Sequence, residues 1–516
     1  MPSVGALPAR LGATTAAQLL PPGVPPQAQA RVPAVSASAQ AQAAAPRAEP
    51  SAPDAAPSAF DGSARPRVAV IGGGIAGLSA VHELARHGIA AQVFEAETRL
   101  GGRMKSEPHA SGLVVDAGAE FVSSTHDALL AMMKELGIKP LRRHSVARKK
   151  TFFYDGRPMP ERAFQRRMFR EAAAPLRTLV RDDAALRAAI QAKDADVLRR
   201  FDSKTIGAYL DEIGAPPILR AFVKAVVDSE SGRDYRTLSS VVLFECLSVD
   251  LAKRHVAALP DEDEVFRIDG GAGRIISKLL ERHAKTVRRE HRLTAIESDD
   301  GKRFRLTFQT PQGPRVVEAD HVILAVPPPA LKDVLVRMPG WTPELRKAVD
   351  AVEYGSHLKL SLVFKGRPWL KLGHSGGGFT DSGYAFWESS EGQKADAGSV
   401  TFLGRAPEPG VTPAQLAWTF LHQLSRIFPG IIAQYRGFRA EIWQRSYPFA
   451  DGPGDPYGFV LTWLGRRAFS KFSADPIGNL HWAGDLYSSK SPAYMNGAVE
   501  TGTAAAQAIA RAQATP

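Results

Sequence analysis

The residues most able to do chemistry begin at Gly72-Gly73-Gly74-Ile75-Ala76-Gly77. A GxGxxG run means little alone. Here it follows the apolar stretch RVAVIG and opens a helical pattern from Ile75 to about His87, which Gly88 closes. The next apolar stretch, AAQVFEA, carries Glu95 at the distance where a carboxylate can accept hydrogen bonds from a ribose. In such a turn Gly72 makes the bend, Gly74 lets a pyrophosphate approach the backbone, and Gly77 lets helix and strand touch. The helix N-terminus at Ile75 and Ala76 presents free N–H groups and partial positive charge to the phosphates. These residues alone leave NAD and FAD undivided. The next ones favour FAD. From Ala96 the chain runs to Gly101-Gly102-Arg103, whose glycines allow close passage of a longer cofactor and whose guanidinium can clamp phosphate oxygens. Asp116-Ala117-Gly118-Ala119 gives another small-residue passage.

A second candidate is Lys359. The segment His357–Phe364 alternates, with His357, Lys359, Ser361 and Val363 on one face and Leu358, Leu360, Leu362 and Phe364 on the other. One other hit fails on context. Gly373-His374-Ser375-Gly376-Gly377 matches GxSxG without a strand–elbow–helix around it. The histidines form no HExxH, and no metal site is inferred.

The elements that must position these groups follow a βαβ start: strand, glycine turn, helix, strand. Helical patterns dominate from roughly 126 to 260, with an Ala/Arg-rich stretch near 171–200. Strand signals return at Arg303–Phe308 and Val322–Val326. Residues 1–65 are dominated by Ala and Pro and hold few side chains able to build a core, so the expectation there is disorder. No acid precedes Glu49, while Arg10, Arg31 and Arg47 are scattered through the segment, as in organellar or secretion leaders. The default expectation is a cytoplasmic protein, with an organellar or exported one as the alternative.

The chain has 516 residues, 44% hydrophobic and 23% charged, which is ordinary globular usage for two or three folded units. No apolar run is long enough to span a bilayer. A single cysteine, Cys246, excludes an internal disulfide, a CxxC pair and a cysteine-rich metal centre. The net charge of +12 suits an anionic cofactor as well as a nucleic acid or a membrane. The basic clusters at 142–150 and 162–170 lack interleaved aromatics, so a nucleic-acid partner is not expected.

Five blocks carry a resemblance: VAVIGGGIAGLSAVHELARHGIAAQVFEAETRLGGR, VVDAGAEFV, GGAGRIISKLL with ADHVILAVPPPAL, YGSHLKLSLVF, and LHWAGDLYSSKSPAYMNGAVETGTAAA. In this order they resemble the FAD-dependent amine oxidases, the group of monoamine, polyamine, L-amino-acid and histone-demethylase-type oxidases. The resemblance covers 67 to 512. It implies an α/β fold: a discontinuous Rossmann-like FAD-binding domain at 66–125, 262–335 and 470–516, and an α+β substrate domain at 126–261 and 336–469.

The resemblance also assigns residues. Gly484 and Asp485 would lie by the ribityl chain or pyrophosphate. Tyr494, Met495 and Ala498 would open the last helix against the flavin N1/C2 edge. Lys359 would hold a water against flavin N5, and burial there should disfavour its ammonium. Tyr494 would be one of two rings framing the substrate nitrogen. The second stays open among Tyr447, Phe449 and Tyr457, with Trp482 a weaker candidate. Where amino-acid oxidases place an arginine for the substrate carboxylate, this chain has Glu120 and Phe121, which weakens an α-amino-acid substrate. Glu120 stands either on the flavin side or in the pocket, where it would prefer a cationic group. No cysteine lies in the C-terminal flavin blocks, so FAD should be non-covalent. The implied reaction passes a hydride from a small-molecule amine to flavin N5, water hydrolyses the imine, and O2 reoxidises the flavin to give H2O2. Two alternatives remain: desaturase or protoporphyrinogen-oxidase-type C–C dehydrogenation, and an exported flavin-binding interaction protein.

Overall fold

A computed structural model describes residues 67–143, 149–258, 264–352, 354–443 and 475–514. Apart from Pro409–Val411, these fall within one compact unit. The expectation for residues 1–65 lies outside the described residues.

The βαβ start forms as β1 (Val68–Ile71), α1 (Ile75–Arg86) and β2 (Ala91–Phe94). The helix ends at His87, and Gly88 follows at φ +68°, a left-handed conformation that favours glycine. The two strands are neighbours in a five-stranded parallel sheet, ordered Val287–Arg288, β2, β1, His321–Leu324, Leu480–Trp482. Val68, Val70 and Ile323 face one core, shared with α1 and the closing helix Met495–Ala514. Ala69, Ile71, Val322 and Leu324 face the other, shared with Phe304, Leu306 and Phe308 of a four-stranded sheet. Both faces are covered, which is why these strands read as unbroken apolar runs.

A seven-stranded mixed sheet holds the lysine strand, His357–Lys365. Leu358, Leu360, Leu362 and Phe364 pack with Phe402 and Phe420 beneath the helix Pro413–Ile427. That helix is started by a Thr412–Gln415 capping box. The opposite face of the strand, His357, Lys359, Ser361 and Val363, is buried as well, so its polar members point into the protein. The GxSxG match lies at the start of the strand His374–Thr380, with no nucleophile elbow.

The helical reading of 126–260 needs correction at 149–160. Helices fill Glu161–Glu171, Ala173–Ala192 and most of the chain on to Cys246, but Lys149–Tyr154 and Arg157–Pro160 form a hairpin at the edge of the seven-stranded sheet. Its turn is Asp155-Gly156, both at positive φ (51° and 67°), the pairing that a tight hairpin turn requires. Phe152 and Phe153 are buried in the strand. A second short hairpin joins Leu247–Asp250 to His255–Ala258.

Candidate active site

The glycine turn is held by contacts that only glycine permits. At Gly72 (φ +107°), a Cβ would stand 2.5 Å from the Ala325 carbonyl oxygen, and at Gly77 it would stand 2.0 Å from the Gly72 oxygen. Gly74 is the exception, since nothing lies within 4 Å of where its Cβ would be. That open space belongs to a long cleft holding about 1400 Å³ of empty volume, its mouth included. Gly72, Gly74, Ile75 and Ala76 form one wall. Helix α1 starts there with no side-chain cap and no acid in its first turn, so nothing of its own neutralises the positive end of its dipole. Glu95 and Ala96 continue the wall. The Glu95 carboxylate accepts hydrogen bonds from Gly73 N (2.7 Å) and Glu97 N (3.0 Å), so it braces the turn from the cleft.

The cleft also gathers Gly101, Gly102, Arg103 and Ala119 with Gly484, Asp485, Tyr494, Met495 and Ala498. The closing helix lies against α1 so closely that a Cβ at Gly502 would meet the Ala76 oxygen at 2.2 Å. Its first turn supplies Met495 and Ala498, and Tyr494 just ahead packs on His126 (5.0 Å between ring centroids). Ala493 precedes them at φ +67°, a strained conformation for alanine. Two predicted glycines are not on the wall. Gly77 serves close helix–strand contact, and a Cβ at Gly118 would strike the Arg103 oxygen at 2.0 Å. Arg103 reaches the cleft, and part of its guanidinium is taken by a neighbouring carboxylate. It donates to both Asp485 oxygens, at 3.1 and 2.5 Å, so the two residues act as one unit.

Lys359 and Glu120 are not among the cleft-lining residues. Lys359 is buried, as the resemblance implies, and its ammonium is engaged by the protein. Its Nζ donates to the Gly118 oxygen and to Glu120 Oε2, both at 2.7 Å. Glu120 Oε1 meets Arg267 Nη2 (3.2 Å) and accepts from Trp387 Nε1 (3.2 Å). Arg267 continues to Asp116 Oδ2 at 3.4 Å and donates to the Ser389 carbonyl. The cationic partner expected of Glu120 is therefore the protein's own Lys359 with Arg267, not a bound ligand. Burial alone would raise the Glu120 pKa, but Lys359 and Arg267 outweigh it and hold the carboxyl below its ordinary range. For Asp116 burial wins over Arg267, and its pKa is raised.

Arg267 and Trp387 carry no motif and were not legible in the sequence. Tyr354, also on the cleft, sits in the YGSHLKLSLVF block, but its position there gives no sign of a role. Tyr447, Phe449 and Tyr457 lie outside the described residues. Trp482 is not on the cleft wall; it is buried in the core beside Trp341 (5.8 Å) and Tyr487 (5.5 Å). Among the described residues no cluster of three or more His, Cys, Asp or Glu is arranged to hold a metal, and no helix is long and apolar enough to cross a membrane.

Residues 75–510 match the model of the flavin containing amine oxidoreductases. The chain is 25% identical over 467 residues to a putative flavin-containing monoamine oxidase, AofH, of Mycobacterium tuberculosis, covering 86% of this chain and 96% of that protein. It is also 25% identical to the flavin-dependent L-tryptophan oxidase RebO of Lentzea aerocolonigenes, over 86% of this chain and 98% of that protein. Among solved structures it is similar to cyclohexylamine oxidase from Brevibacterium oxydans IH-35A, with a TM-score of 0.67 at 22% identity over 87% of this chain and 100% of the other.

Proposed function

The chain belongs to the family of flavin-containing amine oxidoreductases and is an FAD-dependent oxidoreductase, and from that premise we propose that it oxidises a small amine, with O2 as the final acceptor and H2O2 as product. The observation that carries this reading is the cleft itself: an uncapped helix N-terminus and an open glycine at one wall, with a second helix N-terminus at Met495 forming another. The residues fit FAD. Gly74 leaves the space that a pyrophosphate needs, and no side chain competes for the N–H groups of α1. When bound, FAD supplies a two-electron acceptor that oxygen can reoxidise.

The chain's own groups then do the following. The first turn of α1 binds phosphate oxygens, and Glu95 accepts from a ribose hydroxyl while bracing the turn. Asp485, fixed by Arg103, meets the polar chain of the cofactor. The N-terminus of the closing helix favours negative charge at the flavin edge, and Tyr494 shields the substrate amine. Lys359, held by Glu120 and the Gly118 carbonyl behind the Ala119 wall, would orient a proton or a water for the bound cofactor. The amine must arrive neutral; its carbon–nitrogen bond becomes an imine, and water splits that to a carbonyl compound and ammonia or a smaller amine. The five-stranded sheet with its helices is the Rossmann-like cofactor half, discontinuous in sequence, and the seven-stranded sheet with the helices at 161–246 is the substrate half. Cys246 ends the helix Ser240–Cys246 and is not among the cleft residues, which supports non-covalent FAD.

An amine panel tests the reading. The purified yellow protein should release peroxide with at least one amine in air, and that amine should bleach the flavin anaerobically. Bleaching by a polyene or porphyrinogen, and by no amine, would move the assignment to C–C dehydrogenation. A flavin that no substrate bleaches would leave a binding protein.

A further inference from the structure

We propose that Glu500 is a positioning residue. From outside the cleft, its carboxylate fastens the loop at 488–492 to the closing helix and so sets Tyr494 on the cleft wall; the inference rests on the amine-oxidase reading above for what Tyr494 meets there. Between the turn Asp485–Tyr487 and the closing helix, the chain leaves the wall and returns to it. Asp485 and Leu486 line the cleft, residues 488–492 do not, and Ala493 and Tyr494 do again. Glu500, on the second turn of the helix and also off the wall, takes hold of that excursion. Its Oε2 accepts from the Ser488 hydroxyl (2.7 Å) and its Oε1 from Asn496 Nδ2 (2.9 Å). Ser488 Oγ accepts in turn from the N–H groups of Lys490 (3.2 Å) and Ser491 (2.9 Å). Asn496, 1% exposed, also donates to Ser491 Oγ (2.9 Å) and accepts from Leu129 N (2.9 Å), which extends the tie to the helix Asp127–Glu135.

The loop needs such a tie because it returns to the wall through Ala493 at φ +67°. Alanine holds that conformation only where its surroundings impose it. The backbone bonds nearest to it are long: Ala493 N reaches the Asp485 oxygen at 3.3 Å, and Tyr494 N reaches the Ser491 oxygen at 3.4 Å. The short bonds of the segment are those gathered by Glu500, Ser488 and Asn496, and hydrogen bonds to a carboxylate are the stronger kind. The loop also lies directly on the helix, where a Cβ at Gly497 would stand 2.1 Å from the Ser491 oxygen. Without the Glu500 carboxylate, Ser488 and Asn496 lose their common acceptor, the strained turn at Ala493 relaxes, and Tyr494, the next residue, moves with it.

Glu500→Ala tests this, first with a readout other than turnover. Lys490 is exposed in the loop, so limited trypsin digestion of the holoenzyme reports its opening. The variant should be cut after Lys490 about tenfold faster than wild type, the size of one hydrogen bond to a charged group, while its other tryptic sites keep their rates. Glu500→Gln, which leaves one acceptor oxygen, should fall between the two. Ala493→Gly added to Glu500→Ala should restore much of the resistance, because it removes the strain that the tie holds. With an amine that the wild type oxidises, Glu500→Ala should raise KM about five- to tenfold and change kcat much less. Equal cutting after Lys490 in variant and wild type would overturn the proposal. So would faster cutting at every site alike, since Glu500 would then only stabilise the fold, and so would a loosened loop with KM unchanged. A wild type that oxidises no amine would overturn the amine-oxidase reading, whereas selective cutting after Lys490 would still uphold the tie.

Discussion

At the glycine turn, the groups that meet the cleft are backbone N–H donors at the start of α1, and what holds them is close fit: Gly72 against Ala325, Gly77 against Gly72. Around Lys359, the groups are side-chain charges brought from Asp116, Glu120, Arg267 and Lys359, and what holds them is mutual neutralisation. The first region keeps its polar groups open to a ligand, whereas the second turns its polar groups on one another. The difference teaches where each should fail. Removing a charge from the second region should destabilise the fold, whereas adding bulk at the open point of the first should spare the fold and weaken the ligand.

The largest effect is expected from Glu120→Ala. It strands two buried cations and should cost about 3–5 kcal/mol in chemical denaturation. The double variant Glu120→Gln/Lys359→Met removes one charge of each sign and should recover much of that loss. If the single and double variants are equally unstable, the charges are not coupled and the comparison breaks.

Next in size is an acid effect from buried histidines, most direct in the parallel sheet. His481, on the outer strand Leu480–Trp482, is lowered to about 4, by burial first and by His321 second. A histidine depressed in the folded state stabilises the fold above its unfolded pKa of about 6.5 and loses that contribution as pH falls towards its folded value. Thermal midpoints should therefore drop between roughly pH 6.5 and 4 by the equivalent of on the order of 2–3 kcal/mol. His481→Leu should reduce that slope without abolishing it, because burial also lowers His374, on the seven-stranded sheet, to about 4. The Glu120 carboxyl, held low by its cations, should release its contribution only at more acid pH, so a wild-type curve with no loss before that point would refute the ordering.

The smallest effect sharpens the contrast most. Gly74→Ala places a methyl where nothing lies within 4 Å, so the stripped protein should melt as wild type does. FAD affinity should fall by about tenfold, since the methyl occupies the space offered to a phosphate (1.4 kcal/mol per tenfold). Unchanged affinity, measured by fluorescence titration, would remove Gly74 from the phosphate site.

The same contrast explains what could be read from the sequence. The glycine turn, its helix and Glu95 sit within one βαβ unit, so spacing alone located them. The closing helix was legible because its motif is contiguous as well. The Lys359 cluster was half legible: strand alternation set Lys359 on the face opposite the leucines and the family resemblance placed it inside, but Arg267, Trp387 and the partnership with Glu120 exist only after distant segments pack. The hairpin at 149–160 escaped because its alternation is weak beside the surrounding helical patterns, although Asp155-Gly156 carried the turn signal. Arg103 was read as a phosphate clamp, and nothing local reveals that Asp485 also reaches it.

That last pair bears on how the protein is made. Arg103 and Asp485 are 382 residues apart, and the outer strand and closing helix come later still than most of the fold. A ribosome therefore exposes the glycine turn long before it delivers the wall that faces it. Until then the inner sheet has an unpaired flank and the dinucleotide has only half a seat. Capture of the cofactor belongs after synthesis, and nascent chains arrested before residue 480 should emerge without flavin, however well their front half has formed.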